Sequence, residues 1–319
     1  MQTGIATSVL ELIGQTPLVD LARITRGLDG QVLAKVEFFN PGYSKKDRIA
    51  LQLIEDAEAS GALQKGDTVV ELTSGNTGTG LAIVCAAKGY HFVAVMSRGN
   101  SPERARMMAA LGAEVVLVEQ SAGAIPGEVS GADLALVEAR TQAIVRERNA
   151  FRADQFQLPG NARAHYLHTA AEIWQQSGGI DVFCDFIGSG GSFAGCAAYF
   201  KERDPAARCY VVEPAGAAAF EGETVSRANH KIQGGGYAMA ELAQIDRGLV
   251  DGCLQVSDAI AAEMTRRLAR EAGLFAGYSS GANLAAALQL LEGAERGARI
   301  AILLCDSGLK YLSGDLFGA

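Results

Sequence analysis

Metal-binding patterns are missing from this sequence. Its four histidines, at 91, 165, 168 and 230, make no metal-ligand spacing with one another or with any cysteine, so no zinc site is expected. Six cysteines, at 85, 184, 196, 209, 253 and 305, form no C-x-x-C pair and mostly lie in apolar runs. They read as buried, reduced thiols of a cytoplasmic protein, not as a disulfide framework or a redox motif. No apolar run approaches the ~20 residues of a membrane span. The opening MQTGIATSVLELIG lacks the basic-then-apolar order of a secretory signal. No block of like charge is present, and a net charge of −8 argues against a nucleic-acid partner.

What is present is an alternation. Of the 319 residues, 49% are hydrophobic, enough for two domains with substantial cores. Apolar runs predict strands at 31–39, 67–72, 91–96, 114–119, 181–187, 208–214 and 299–306. Helical spacing occupies 46–63, 80–90, 101–113, 134–149, 164–178, 259–273 and 280–294. Segments 120–132 and 215–253 are rich in glycine and read as irregular. Continuous apolar strands between helices suit parallel sheets covered on both faces. The pattern therefore predicts an α/β protein of two units dividing near residue 150.

Four segments have the makings of chemistry. GSGGS (188–192) follows an apolar strand and precedes a helix. Such a turn aims backbone N–H groups and a helix dipole at an anion. It lacks both the dinucleotide spacing and the lysine of a nucleotide P-loop, which favours a single phosphate. TSGNTG (73–78) occupies the same position after another strand and offers hydroxyls suited to a carboxylate. An ordinary βα turn without ligand accounts for either loop alone. NPGYSKKDR (40–48) places lysines at a helix start, where the dipole disfavours them. A solvated charge cluster is the other reading of that segment. CDSG (305–308) ends the last strand, the side on which open α/β sheets bind ligands; plain strand termination fits as well.

Their order is more telling. ELIGQTPLVDL (11–21), NPGYSKKDRIA, ELTSGNTGTGLA, RARMMAALGAEVVLV, QFQLPGN, AHYLHTAAEIW, GSGGS, HKIQG (230–234), GLFAGYSSGA (273–282) and DSGLKYLS (306–313) follow in sequence. Over nearly its whole length the chain resembles the cysteine synthase (O-acetylserine sulfhydrylase) and cystathionine β-synthase family, pyridoxal-phosphate enzymes of fold type II. The resemblance implies two open, mostly parallel sheets with helices on both faces, as in the tryptophan synthase β-like fold. It implies a smaller domain (41–150) carrying the carboxylate loop, and a larger one (1–40 with 151–319) carrying the phosphate loop. The implied cofactor is pyridoxal 5'-phosphate, bound as a Schiff base to Lys46, the catalytic residue. Asn76 is implied for its phenolic oxygen, Ser307 for its pyridine nitrogen, and Gly188, Ser189, Gly190, Gly191 and Ser192 for its phosphate. Thr73, Ser74, Gly75, Thr77 and Gln155 are implied for the substrate carboxylate, and Gly234 for the substrate entrance.

The implied reaction is β-replacement on an O-activated L-serine through an aminoacrylate, with sulfide or another small nucleophile. It is a transferase or lyase reaction of cysteine biosynthesis, carried out by a cytoplasmic homodimer with neither nucleic acid nor membrane as partner. Cystathionine β-synthase-type chemistry, a non-sulfur nucleophile, and β-elimination of the serine/threonine dehydratase kind are the alternatives. The chain departs from the family pattern at Tyr43 and Lys45, beside the cofactor lysine, and at Leu72, Leu158 and Cys305. It departs again in GGYAMAEL (235–242). The implied cofactor frame is kept, while the surroundings of the second substrate differ.

Overall fold

A computed structural model describes residues 4–73, 75–100, 102–122, 131–227 and 230–318. The chain runs through β1 (Leu18–Asp20), β2 (Gln31–Val36), α1 (Lys46–Ser60), β3 (Thr68–Leu72), α2 (Asn76–Lys88), β4 (His91–Ser97) and α3 (Pro102–Ala110). It continues through β5 (Glu114–Val118), α4 (Gly131–Arg148), β6 (Phe151–Arg152), α5 (Gly160–Ala164), a π-helical stretch (His165–Ala170) and α6 (Ala171–Ser177). It ends with β7 (Val182–Phe186), α7 (Gly191–Arg203), β8 (Arg208–Pro214), β9 (Gly252–Val256), α8 (Asp258–Ala272), α9 (Tyr278–Glu292) and β10 (Arg299–Leu304).

Two compact units result. The smaller comprises Met1–Ile13 and Asn40–Gly160, the larger Gly14–Phe39 and Asn161–Ala319. The boundaries at 40 and 150 expected from sequence thus shift, for identifiable reasons. Leu10 and Ile13 pack against the apolar cluster of the smaller unit. β6 adds a short parallel strand to the smaller sheet through Val69↔Phe151 and Val70↔Arg152, which keeps residues 151–160 there.

The smaller sheet has the order β5-β4-β3-β6, all parallel. The larger has the order β1-β2-β10-β7-β8-β9, parallel except for the antiparallel edge pair β1–β2. Side chains alternate across a strand, and both sheets use both faces. On β10, Ile300, Ile302 and Leu304 join a cluster with α8 and α9, while Ala301 and Leu303 join one with α6 and α7. On the smaller sheet, Val69, Phe92 and Ala94 face α1 and α2, while Val70, Val93 and Val95 face α4.

The expected helix at 80–90 begins earlier, at Asn76. The loop expected over 120–132 lies largely outside the described residues, and so does Ser101, the first residue of the helix expected at 101–113. Among the described residues no helix is long and apolar enough to cross a membrane. Among those same residues no cluster of His, Cys, Asp and Glu is arranged to hold a metal ion.

Candidate active site

In the smaller unit, β3 ends at Leu72 and α2 begins at Asn76. Ser74, expected in this loop, lies outside the described residues. Gly75 has φ 140°, and a Cβ there would lie 2.5 Å from Arg104 Cδ. A side chain is therefore excluded twice, by conformation and by space. Thr73 Oγ1 accepts from Gly75 N at 3.0 Å and from Gly78 N at 2.9 Å. A hydroxyl has two lone pairs and one proton, so what Thr73 has left to offer is its proton. Thr77 differs, since its Oγ1 donates to Gln155 Oε1 at 2.7 Å. The structure thus brings Thr73, Gly75, Asn76, Thr77 and Gln155 together at one helix start.

Behind this loop stands a residue that sequence reasoning passed over. Glu71 is fully buried in β3. Its Oε1 accepts from Gln155 Nε2 at 3.5 Å, and its Oε2 lies 4.0 Å from Arg152 Nε. Burial pushes its carboxyl well above the usual carboxylate range, against the pull of Arg152. An acidic letter inside the apolar run TVVEL was the available signal.

Lys46 opens α1, half-buried, with its backbone N donating to Ser44 Oγ at 3.3 Å. Its neighbours exclude the solvated-cluster reading: Lys45, Asp47 and Arg48 are only 5%, 0% and 3% exposed. Gly42 N donates to Asp47 Oδ2, so the Asn-Pro-Gly turn is tied to the first turn of the helix. Tyr43 adopts φ 60° and is 49% exposed, so it and the buried Lys45 do not face outward as a pair. α1 and α2 meet at Gly80, where a Cβ would stand 3.0 Å from Lys46 O and 3.1 Å from Ala50 Cβ. This close crossing fixes where α2 stands against the helix turn that begins with Lys46.

In the larger unit, the loop after β7 carries Gly188 to Ser192, and α7 begins at Gly191. Gly190 has φ 85° and Ile245 packs where its Cβ would be, at 2.6 Å. Ser189 Oγ accepts from Asn161 Nδ2 at 2.8 Å, and Ser192 Oγ donates to Asp185 Oδ2 at 2.5 Å. A Cβ at Gly191 would lie 2.1 Å from Asn161 Oδ1. The bare backbone and the α7 N-terminus form a cradle that fits a phosphate group. Gly234 has φ 94°, and its carbonyl would lie 2.8 Å from a Cβ at Gly188. The 234–236 segment is fastened there by Gly236 N donating to Ile187 O at 2.8 Å. Gly234 and the phosphate-type loop are thus brought together.

Ser307 follows β10 and caps a 3₁₀ turn, its Oγ accepting from Leu309 N. Its neighbour Asp306 accepts through Oδ2 from Tyr311 Oη at 2.8 Å. Cysteine chemistry is not favoured. Burial raises the Cys85 and Cys209 thiols to about 12 and Cys253 to about 11, and pushes Cys184 up as well.

Known proteins share this architecture. A cysteine synthase of Staphylococcus aureus is 37% identical over 312 residues, covering 97% of this chain and 96% of its own length. The crystal structure of an O-ureido-L-serine synthase superposes with TM-score 0.86 at 38% identity, covering 98% of this chain and 96% of the other. That of O-acetyl serine sulfhydrylase isoform 3 from Entamoeba histolytica does so with TM-score 0.91 at 32% identity, covering 100% and 93%. The family described as pyridoxal-phosphate dependent enzyme matches residues 9–306, and the chain belongs to it, with pyridoxal phosphate as its cofactor.

Proposed function

We propose that the chain catalyses β-replacement on an O-activated L-serine, exchanging the leaving group for sulfide or another small nucleophile. The observation that carries this reading lies in the smaller unit. There the helix that Lys46 opens crosses, at Gly80, the helix that starts from the hydroxyl-bearing loop of Thr73 and Thr77. A catalytic lysine and a carboxylate-binding loop are the parts that such chemistry needs.

Lys46 carries the cofactor. The loop Gly188, Ser189, Gly190, Gly191 and Ser192 holds its phosphate, and Asn76 takes its phenolic oxygen. Ser307 faces its pyridine nitrogen; the Oγ already accepts from Leu309 N, which leaves its proton to donate there. When bound, pyridoxal phosphate supplies an electron sink that eases removal of the substrate Cα proton. Thr73, Ser74, Gly75, Thr77 and Gln155 bind the substrate α-carboxylate, with Thr73 as proton donor and Gln155 Nε2 beside it. Lys46 Nζ takes the Cα proton and returns it at the end of the cycle. Gly234 lies at the substrate entrance. The resemblance to cysteine synthases also carries the finer readings of a homodimer and a cytoplasmic location. Cysteines outside any disulfide accord with a reducing compartment.

The test incubates the holoenzyme with O-acetylserine, O-phosphoserine or serine, each with and without sulfide. Leaving-group release and cysteine formation are measured, with Lys46→Ala as the control that abolishes both. If no donor loses its leaving group, the reading fails. Pyruvate and ammonia without incorporation of any nucleophile would replace it by β-elimination.

A further inference from the structure

The two serines of the 188–192 loop look interchangeable in the sequence, but their hydrogen bonds have opposite polarity. Ser189 Oγ is an acceptor from Asn161 Nδ2 at 2.8 Å. Ser192 Oγ is a donor to Asp185 Oδ2 at 2.5 Å. A hydroxyl has only one proton, so this difference decides what each can offer an anion.

Both partners are held in place. Asn161 is buried and presses against Gly191, where a Cβ would lie 2.1 Å from its Oδ1 and 2.2 Å from its Cγ. The side chain therefore has no room to shift further toward the start of α7. Asp185 is buried in β7, and its Oδ1 accepts from Asn283 Nδ2 at 3.0 Å. Asn283 in turn accepts from Phe186 N at 2.6 Å and donates to Leu303 O at 2.9 Å, which fixes it to β7 and β10. The acceptor of the Ser192 proton is thus anchored to two central strands.

We propose that Asn161 is a positioning residue for the cofactor phosphate: by filling a lone pair of Ser189 it reserves that hydroxyl's proton for the phosphate, whereas Ser192 ties the loop to Asp185 and is the weaker donor. The proposal rests on the reading of residues 188–192 as the phosphate loop. It makes a reversal available. A carboxylate at position 161 accepts only, so it would take the Ser189 proton and set a negative charge against the phosphate.

The experiment titrates apo-protein with pyridoxal phosphate and, separately, with pyridoxal, which lacks the phosphate. Quenching of the single tryptophan, Trp174 in α6 of the same unit, reports binding. Ser189→Ala and Asn161→Ala each weaken pyridoxal phosphate binding by about ten- to a hundredfold, the usual effect of a hydrogen bond to a charged group. Asn161→Asp weakens it further. Pyridoxal binding does not follow. In a Ser189→Ala background, Asn161→Ala adds no further loss, because the two act through one bond. Ser192→Ala weakens pyridoxal phosphate binding less than Ser189→Ala does. Thermal unfolding of each apo-variant identifies any that fail to fold, and the comparison of the two serines then decides the matter without Asn161. Equal losses at the two serines, additive effects of Asn161 and Ser189, or parallel weakening of both aldehydes overturn the proposal. A wild-type protein that binds neither aldehyde overturns the functional reading and this inference with it. One that binds both, with Asn161 indifferent, overturns this inference alone.

Discussion

Gly80→Ala separates two opposing effects. The residue lies inside α2, so alanine gains about 1 kcal/mol of intrinsic helix stability over glycine. Its Cβ, however, would meet Lys46 O at 3.0 Å, Ala50 Cβ at 3.1 Å and Asp47 Cα at 3.1 Å. None of these is the end of a flexible side chain, so relief requires α1 to retreat by a few tenths of an ångström. Overpacking of this kind costs about 1–3 kcal/mol. The net expectation is a loss of about 0–2 kcal/mol, read by urea unfolding of the apo-protein. Turnover falls by more than stability suggests. The retreat carries Lys46 with it, and if a misplacement of about 1 Å costs a hundredfold, a few tenths cost roughly three- to tenfold. Gly89→Ala is the control. That glycine caps α2 at φ 81° with open space around its Cα. Alanine there loses about 1–2 kcal/mol to left-handed strain and leaves turnover alone. A Gly80→Ala protein that is more stable than wild type and fully active would refute the claim that this crossing positions Lys46.

Two further outcomes are expected. The folded pKa of Glu71 is raised above its ordinary value of 4.5, so its contribution to stability is intact below that value and declines as pH rises through the folded pKa. Arg152 opposes the rise, while Asp154 and Glu138 add to it. Glu71→Gln, which imitates the neutral acid, should therefore gain stability relative to wild type as pH rises above 4.5; a difference that stays flat with pH contradicts the assignment. Tyr43→Gly removes about 1 kcal/mol of strain at φ 60° and adds comparable unfolded-state entropy. Its urea midpoint should shift by less than about 1 kcal/mol, and a loss above about 3 kcal/mol would show a packed ring, at odds with its exposure.

The larger elements were legible because their apolar runs are long and bounded by glycine or polar turns. β1 and β6 were not: they have three and two residues, too few for any period to appear. β9 has mostly half-buried residues within a glycine-rich stretch, and only its pairing with β8 makes it a strand. The π-helical stretch was read as ordinary helix. It lies against Gly195, where a Cβ would be 2.8 Å from Tyr166 N and 3.0 Å from His165 Cβ, a proximity no local pattern announces. At the site, the loops were readable as strand–turn–helix junctions. The supports beneath them were not, because Glu71, Asn161, Asp185 and Asn283 matter through partners distant in the chain. Lys35 shows the same limit: it is buried in β2 because Glu172 lies 2.7 Å from its Nζ. A lone polar letter inside an apolar run is the trace such residues leave.

The position of β10 governs the order in which the larger sheet can form. It lies between β2 and β7, paired with β2 from Arg299↔Gln31 to Leu304↔Val36. The strand joining the two parts of that sheet is therefore the last of its six described strands in chain order. Until it emerges, β1 and β2 have no parallel neighbour, and their apolar faces must wait through the synthesis of more than two hundred residues. The smaller sheet is complete once β6 has been made. During synthesis the chain can thus hold a finished unit carrying Lys46 while the other sheet is still unjoined and has an open edge, the kind of surface on which chaperones act.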